Sequence, residues 1–518
     1  MSTKWLKDAV FYEIYPQSYY DTNGDGIGDF NGIIEKLDYI KSLGCNALWI
    51  NPCFDSPFKD AGYDVRDYKK VAPRYGTNND LYRLFGEAHK KGIRVLLDLV
   101  PGHTSEEHEW FRMSQKAEKN EYSNRFIWTD FCFQGAKGMG FIGGESERSG
   151  TYILNFFKCQ PALNYGFLKP EEHWQLPCDH PDAIATREAL KDIMRFWLDH
   201  GCDGFRVDMA ASLVKNDDEK KTGTSAIWRN IREMLDADYP DAAMVSEWSN
   251  PPLALRAGYH MDFYLNHPGG GYASLMRDYQ KDFSVASDAQ DDSYFKKDAR
   301  RDIRRFLSEY VKWYEDTKDI GYISMLTCNH DTLRPRFNLE PDELKLAYAF
   351  LFTMPGVPFL YYGDEIGMRY LDLPTKEGGY FRTGSRTPMQ WDGTKNLGFS
   401  TGCPDSLYLP VDPAEDAPTV EAQEKDPESL LNTVRALLTL RHAEEDLQAD
   451  APFEVVCDAP DAPFVYRRGK LLIAVNPSGD KLSAVVDAGA REAICMLGKA
   501  DCDGKRLVMG LQSFVVLK

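Results

Sequence analysis

One arrangement recurs through the first 370 residues and limits the fold more than any other feature. An amphipathic helix stops at a glycine, two or three residues follow, and a short apolar strand begins. Ile33, Leu37, Ile40 and Leu43 keep helical spacing and stop at Gly44, ahead of the strand from Ala47 to Ile50. Leu81, Leu84, Phe85 and Ala88 stop at Gly92 before Val95 to Val100, and Leu190, Ile193, Trp197 and Leu198 stop at Gly201 before Gly204 to Val207. These strands show no polar alternation, which is the mark of a parallel sheet buried on both faces. Val10 to Tyr15, Met244 to Ser246, Phe263 to Leu265, Tyr322 to Leu326 and Pro358 to Tyr362 bring the number of strands to eight. Eight such units predict an α/β fold, a (β/α)8 TIM barrel whose closed sheet exposes no edge. A doubly wound open sheet is the alternative, but no Gly-rich dinucleotide loop follows any strand.

The interval from Gly102 to Pro181 is too long for a βα loop and carries turn signals at Gly138, Gly140, Gly143 and Gly144. It is expected to form an insertion domain after strand three, over 102–181, with the barrel made of 1–101 and 182–445. From Met368 to Asp426 the sequence reads as a long loop at the same barrel end, followed by a helix through Leu431, Val434, Leu437, Leu438 and Arg441. The remainder, 446–518, has short strand-like runs separated by Asp, Gly and Pro, and predicts a C-terminal antiparallel β domain.

Charge narrows the function classes. Lys and Arg total 61 against 80 Asp and Glu, a formal net charge of −19, which argues against nucleic acid and anionic membranes as partners. No apolar run approaches the ~20 residues of a bilayer-spanning helix. The opening MSTKWLKDAVFYEIYPQ places polar and acidic residues where a signal peptide needs an apolar segment. The 11 cysteines form no C-x-x-C pair and read as reduced, partly buried thiols of a cytoplasmic protein.

A barrel of this kind carries its chemistry at the C-terminal ends of its strands. Strand three ends at Asp98, with His103 shortly after; strand four ends at Arg206 and Asp208; strand five at Glu247; strand seven at Asn329, His330 and Asp331. Carboxylates converging on one cavity repel one another, and a neighbouring arginine keeps one of them ionised. Glu247 is expected to be the crowded carboxyl that holds a proton, with Asp208 kept ionised by Arg206. One ionised carboxylate and one protonated carboxyl are what glycosidic bond cleavage needs. Metal-assisted hydrolysis is the competing use of these residues, but His103 and His330 lack metal-ligand spacing.

These segments resemble the motifs of the alpha-amylase superfamily, glycoside hydrolase family 13, in order and strand position. DLVPGH (Asp98 to His103) is similar to the third-strand motif, GFRVD (Gly204 to Asp208) to the fourth, SEW (Ser246 to Trp248) to the fifth and NHD (Asn329 to Asp331) to the seventh. The resemblance implies that Asp208 is the nucleophile, Glu247 the general acid and then base, and Asp331 a grip on sugar hydroxyls that helps distort the ring. Arg206, His103 and His330 would hold the nucleophile and the sugar. Retention at the anomeric carbon follows, with the two carboxyls expected about 5–5.5 Å apart.

KDAGYDVRDY (Lys59 to Tyr68), QPALN (Gln160 to Asn164) and RTPMQWD (Arg386 to Asp392) followed by NLGFS (Asn396 to Ser400) resemble segments of the oligo-1,6-glucosidase branch. The resemblance implies that Tyr63 stacks on the terminal sugar, that Asp60 binds it, and that Arg386 pairs with Asp60 to close the pocket behind one glucose. An exo-acting α-glucosidase on short oligosaccharides is the leading expectation, with a disaccharide transglycosylase or isomerase and an endo-acting alpha-amylase as alternatives. A non-catalytic relative is set aside because Asp208, Glu247 and Asp331 are all present. DTNGDGIGD (Asp21 to Asp29) offers oxygens at alternate positions, suited to Ca²⁺ or Mg²⁺, and the branch carries a structural cation there. That implies Asp21, Asn23, Asp25 and Asp29 as side-chain ligands and Ile27 as a carbonyl ligand; no organic cofactor is expected. Three departures from the family stand out: Gly102 where Asn is usual, Met209 after the nucleophile, and Ala162 in place of an Asp.

Overall fold

A computed structural model describes residues 3–280, 290–299, 302–489 and 491–518. Eight parallel strands form the central sheet: β1 (Phe11–Ile14), β2 (Ala47–Ile50), β3 (Arg94–Leu99), β4 (Gly204–Val207), β5 (Ala243–Ser246), β6 (Met261–Phe263), β7 (Tyr322–Ser324) and β8 (Phe359–Tyr361). They pair in the order β7-β6-β5-β4-β3-β2-β1-β8. Just past β7 the ring closes: Leu326 bridges Phe359, and the Thr327 amide donates to the Phe359 carbonyl at 3.0 Å. Apolar residues on both faces of these strands are buried, as the absence of alternation requires.

The intervening helices start and stop for local reasons. Thr77 and Asp80 make a reciprocal capping box at the head of Asn78–Lys90, whose Leu81, Leu84, Phe85 and Ala88 are buried. Gly44 ends the preceding helix in the left-handed region at φ 96°, a conformation that costs a side chain and suits glycine. The stretch expected as one helix before it is two, Phe30–Glu35 and Leu37–Leu43, broken at Lys36.

The sixth strand lies two residues earlier than Phe263 to Leu265. Asp262 stands inside it, fully buried, so a polar residue masks the strand from an apolar reading. Asp262 accepts from Ser246 Oγ at 2.6 Å and from the amides of Trp248 and Asn250 at 3.2 and 2.8 Å, and so ties down the loop that carries Glu247. Burial pushes this carboxyl up to about 7.

Between β3 and the helix Pro181–Asp199 the chain folds over one edge of the barrel mouth. It contains the helix Glu109–Ser114 and an antiparallel pair, Phe141–Gly143 with Thr151–Ile153, around Ile127, Ile153, Phe167 and Trp174. At the other end of the chain, five antiparallel strands order as Phe453–Cys457, Phe464–Arg468, Leu471–Asn476, Ser513–Leu517 and Ala493–Leu497. All 11 cysteines are free thiols, and among the described residues no helix is long and apolar enough to cross a membrane.

Candidate active site

The C-terminal ends of β3, β4, β5 and the loop after β7 bring Asp98, Arg206, Asp208, Glu247, His330 and Asp331 together around a cavity of about 310 Å³, which Asp208, Glu247 and Asp331 line. Arg206, on β4 and buried, is the hub. Its Nη1 meets Asp98 Oδ1 at 2.8 Å and Asp208 Oδ1 at 3.1 Å, and its Nη2 meets Glu247 Oε1 at 2.9 Å. One cation therefore serves three carboxyl groups. Burial and then the adjacent Glu247 push Asp208 well above the ordinary aspartate value, despite the pull of Arg206. Burial likewise raises Asp98 to about 6.

The sequence expects Arg206 to keep Asp208 ionised; in the folded site burial and the neighbouring Glu247 outweigh that pull. The Asp208 side chain is only 11% exposed, and the Asp98 carboxyl adds to the repulsion. Backbone geometry supports the pair. The Met209 amide donates to Glu247 Oε2 at 3.2 Å. Met209 itself has φ 43° and Ser249 φ 57°, so a left-handed non-glycine residue follows shortly after each carboxyl. Such strain is held only where surrounding contacts over-determine it.

The opposite wall has the reverse balance. Asp331 Oδ1 meets Arg382 Nη1 at 2.9 Å and Arg386 Nη2 at 2.8 Å. Burial works to raise this carboxyl, but Arg382 and Arg386 outweigh it and hold Asp331 well below the usual range. Arg386 is buried and also donates through Nε to the His330 carbonyl at 2.8 Å. Its expected partner, Asp60, is met instead by Arg382, at 3.5 Å, while Gln160 Nε2 donates to the other Asp60 oxygen at 2.7 Å. Burial brings Asp60 up to about 6 against the pull of Arg382.

Arg382 is therefore the end-wall residue that the motifs miss. It sits in a turn, Tyr380–Ser385, four residues ahead of Arg386 and outside any periodic pattern. The only signal for it is a second arginine close to the first.

Tyr63 is buried and lines the cavity. Its hydroxyl lies 3.1 Å from Asp98 Oδ2, 2.5 Å from His330 Nε2 and 3.3 Å from Arg206 Nη1, linking the two walls. His330 is fully buried and held neutral by that burial. Asn51 Nδ2 lies 3.1 Å from both Glu13 Oε1 and His330 Nδ1. Glu13, on β1, also approaches His330 Nδ1 at 2.8 Å, and burial raises it well above its ordinary value. A charged residue inside an apolar strand is the signal that could have found it. His103 is buried beside the cavity, with both ring nitrogens engaged, and burial lowers it to about 3.

The 21–29 loop is held by its own hydrogen bonds. Asp21 accepts from the amides of Asn23, Gly24 and Gly26 and from Ser400 Oγ; Asn23 and Asp25 accept from the amides of Asp25 and Ile27. Asp29 turns to Thr22 and to the Gly32 amide as a helix N-cap. Among the described residues no three His, Cys, Asp or Glu side chains converge as a metal cluster. These oxygens, each already accepting an amide or hydroxyl within the loop, keep further lone pairs, so Asp21, Asn23, Asp25 and Asp29 with the Ile27 carbonyl are the groups that would hold a cation there. No step below passes through a metal.

Residues 13–450 match the family model for the alpha-amylase catalytic domain. The oligo-1,6-glucosidase of Heyndrickxia coagulans is 33% identical over 550 aligned positions, covering 93% of each chain. The trehalose synthase/amylase TreS of Mycolicibacterium smegmatis is 33% identical over 479, covering 85% of this chain and 76% of its own. Among solved structures, the trehalulose synthase MutB of Pseudomonas mesoacidophila superposes with a TM-score of 0.81 at 27% identity, covering 99% of both chains. A MutB mutant in complex with the substrate sucrose gives 0.82 at 27%, again covering 99% of both chains.

Proposed function

Because the chain belongs to the alpha-amylase family, glycoside hydrolase family 13, we propose that it is a retaining, exo-acting α-glucosidase that removes terminal α-linked glucose from short oligosaccharides. The observation that carries this reading is the pairing of Asp208 and Glu247 on one guanidinium inside a cavity whose far end is walled by Asp60, Arg382 and Asp331.

Asp208 Oδ attacks the anomeric carbon as Glu247 gives its proton to the departing glycosidic oxygen, and the bond to that oxygen breaks. Glu247, now a carboxylate, takes a proton from water, which displaces Asp208 from the anomeric carbon; two displacements retain configuration. With Asp208 and Glu247 on one cation, a proton entering the site is shared by the pair, which supplies both the acid and the nucleophile. Asp331 stays ionised between two arginines and accepts from sugar hydroxyls. Asp60, Arg382 and Asp331 joined across one side of the cavity would suit a chain terminus, which favours exo over endo cleavage.

A second reading has its own support. The likeness to trehalose synthase/amylase and to trehalulose synthase favours transfer of the glucosyl group to a sugar hydroxyl in place of water. Both readings share every residue above and differ only in the acceptor. Linkage-defined disaccharides, sucrose and trehalose, each incubated with the protein and with Glu247→Gln, separate them by product. Free glucose as the dominant product supports hydrolysis; rearranged disaccharides at constant total sugar support transfer. No turnover of any α-glucoside would overturn both.

A further inference from the structure

Gly102, the departure from the family pattern beside His103, has a structural counterpart two elements away. A Cβ at position 102 would stand 2.7 Å from Asn155 Nδ2, a distance no relaxed contact reaches. The space left by the missing side chain is filled by that amide. Asn155 Nδ2 lies 3.0 Å from His103 Nδ1 and 3.7 Å from Met209 Sδ, while Asn155 Oδ1 accepts from Lys215 Nζ at 3.0 Å. Lys215 is anchored in turn on the Ser212 carbonyl at 2.8 Å. The carboxamide has its oxygen fixed by a cation, so its nitrogen must face His103. His103 Nδ1 is then an acceptor, and the ring proton sits on Nε2, 3.1 Å from the Tyr63 carbonyl.

We propose that Gly102, Asn155 and Lys215 form a positioning device, in which Lys215 orients the Asn155 amide and the amide locks the His103 ring and the Met209 side chain behind Asp208. The device ties the pocket to the segment between β3 and β4, and none of its three members needs to touch the sugar. Asn155 also starts the turn that ends at Gln160, its amide donating to the Gln160 carbonyl at 3.0 Å, so the same segment sets the residue that holds Asp60. Burial, then the charge of Lys221, lowers Lys215 to about 8.

The inference rests on the glucosidase reading for its kinetic arm, and the spectroscopic arm is independent of it. Gly102→Ala, Asn155→Leu, their double variant, Lys215→Met and Lys215→Arg are compared by the ¹⁵N resonances of His103 and by para-nitrophenyl α-glucoside kinetics. Wild type should show an Nε2-protonated ring with an acceptor Nδ1. Gly102→Ala and Asn155→Leu should produce the same change in the His103 resonances and raise KM about 10-fold, the loss of one hydrogen bond. The double variant should add nothing further, since both changes remove one contact. Lys215→Met should follow them in part, and Lys215→Arg should restore the wild-type spectrum. Asn155→Asp, which cannot donate to Nδ1, serves if the leucine variant does not fold. Unchanged His103 resonances in the Asn155 variants, or fully additive effects of the two substitutions, would overturn the device. Absent glucoside turnover in the wild type would count against the glucosidase reading alone.

Discussion

The two walls of the pocket use the same residue types in different ratios. On the Asp208 wall three carboxyl groups share Arg206; on the opposite wall Asp331 meets both Arg382 and Arg386, with Asp60 at 3.5 Å from Arg382. Burial acts on both walls in the same direction, disfavouring the charged form. The charges around each carboxyl decide the outcome: Asp208, beside Glu247 and Asp98 on one shared arginine, is pushed up, and Asp331, between two arginines, is held down. A proton entering the site therefore settles on the side where bond cleavage needs one. The opposite side keeps a fixed negative charge for gripping hydroxyls. Tyr63 and His330 join the walls, so the difference is maintained across a few hydrogen bonds rather than by distance.

The most severe way to break this contrast is to remove the proton donor. Glu247→Gln should lower kcat by ~10²–10⁴-fold on natural glycosides, the usual range for general acid–base catalysis. The loss should be much smaller for glucosyl fluoride, whose leaving group needs no proton; equal losses on both substrates would remove Glu247 from the acid role.

Arg382→Leu tests the other wall. It leaves Asp331 with Arg386 alone and takes from Asp60 the cation that meets it. A fall in kcat/KM of about 10- to 100-fold is expected, less than for a fully buried pair because Asp331 is 28% exposed. Arg386 should not substitute, since its Nε is already committed to the His330 carbonyl. Wild-type kinetics in this variant would show that Asp331 needs only one arginine.

Tyr63→Phe keeps the ring and removes the hydroxyl that joins the walls. About a 10-fold fall in kcat/KM should follow, with the fold intact by circular dichroism.

The smallest effect is a shift in pH dependence. Asp208 must be ionised to attack, so its raised pKa sets the acid limb of kcat/KM above the ordinary aspartate value. In Glu247→Gln one cause of the rise disappears while burial remains. The acid limb on glucosyl fluoride should move to lower pH. A move to higher pH would mean that Glu247 stabilises the Asp208 charge.

Much of this was readable in the sequence because strand ends and apolar runs constrain one another. Asp208, Glu247 and Asp331 follow buried strands directly, and a closed parallel barrel leaves their side chains only one mouth to occupy. What was not readable lies where periodicity gives no information. Arg382 belongs to a long irregular segment, and the choice between it and Arg386 for Asp60 depends on backbone turns that no spacing rule fixes. Asp262 displaced its own strand in the sequence reading, since a buried carboxyl inside a short apolar run reads as its end, whereas Glu13 stood in plain view inside the first strand with no motif to mark it. Asn155 and Lys215 are distant from His103 in sequence, and only the unexplained glycine at 102 pointed to a partner there. That Asp208 is pushed up despite Arg206 depends on its burial, a property of packing that spacing does not give.

The central claim is that the two walls hold opposite protonation states, and infrared difference spectroscopy tests it directly. Spectra of wild type minus Asp208→Asn, and of wild type minus Asp331→Asn, are taken one to two units above the ordinary aspartate value of about 3.9. The account predicts a protonated-carboxyl band in the first difference and a carboxylate band alone in the second. A protonated band that disappears with Asp331 and not with Asp208 would contradict it.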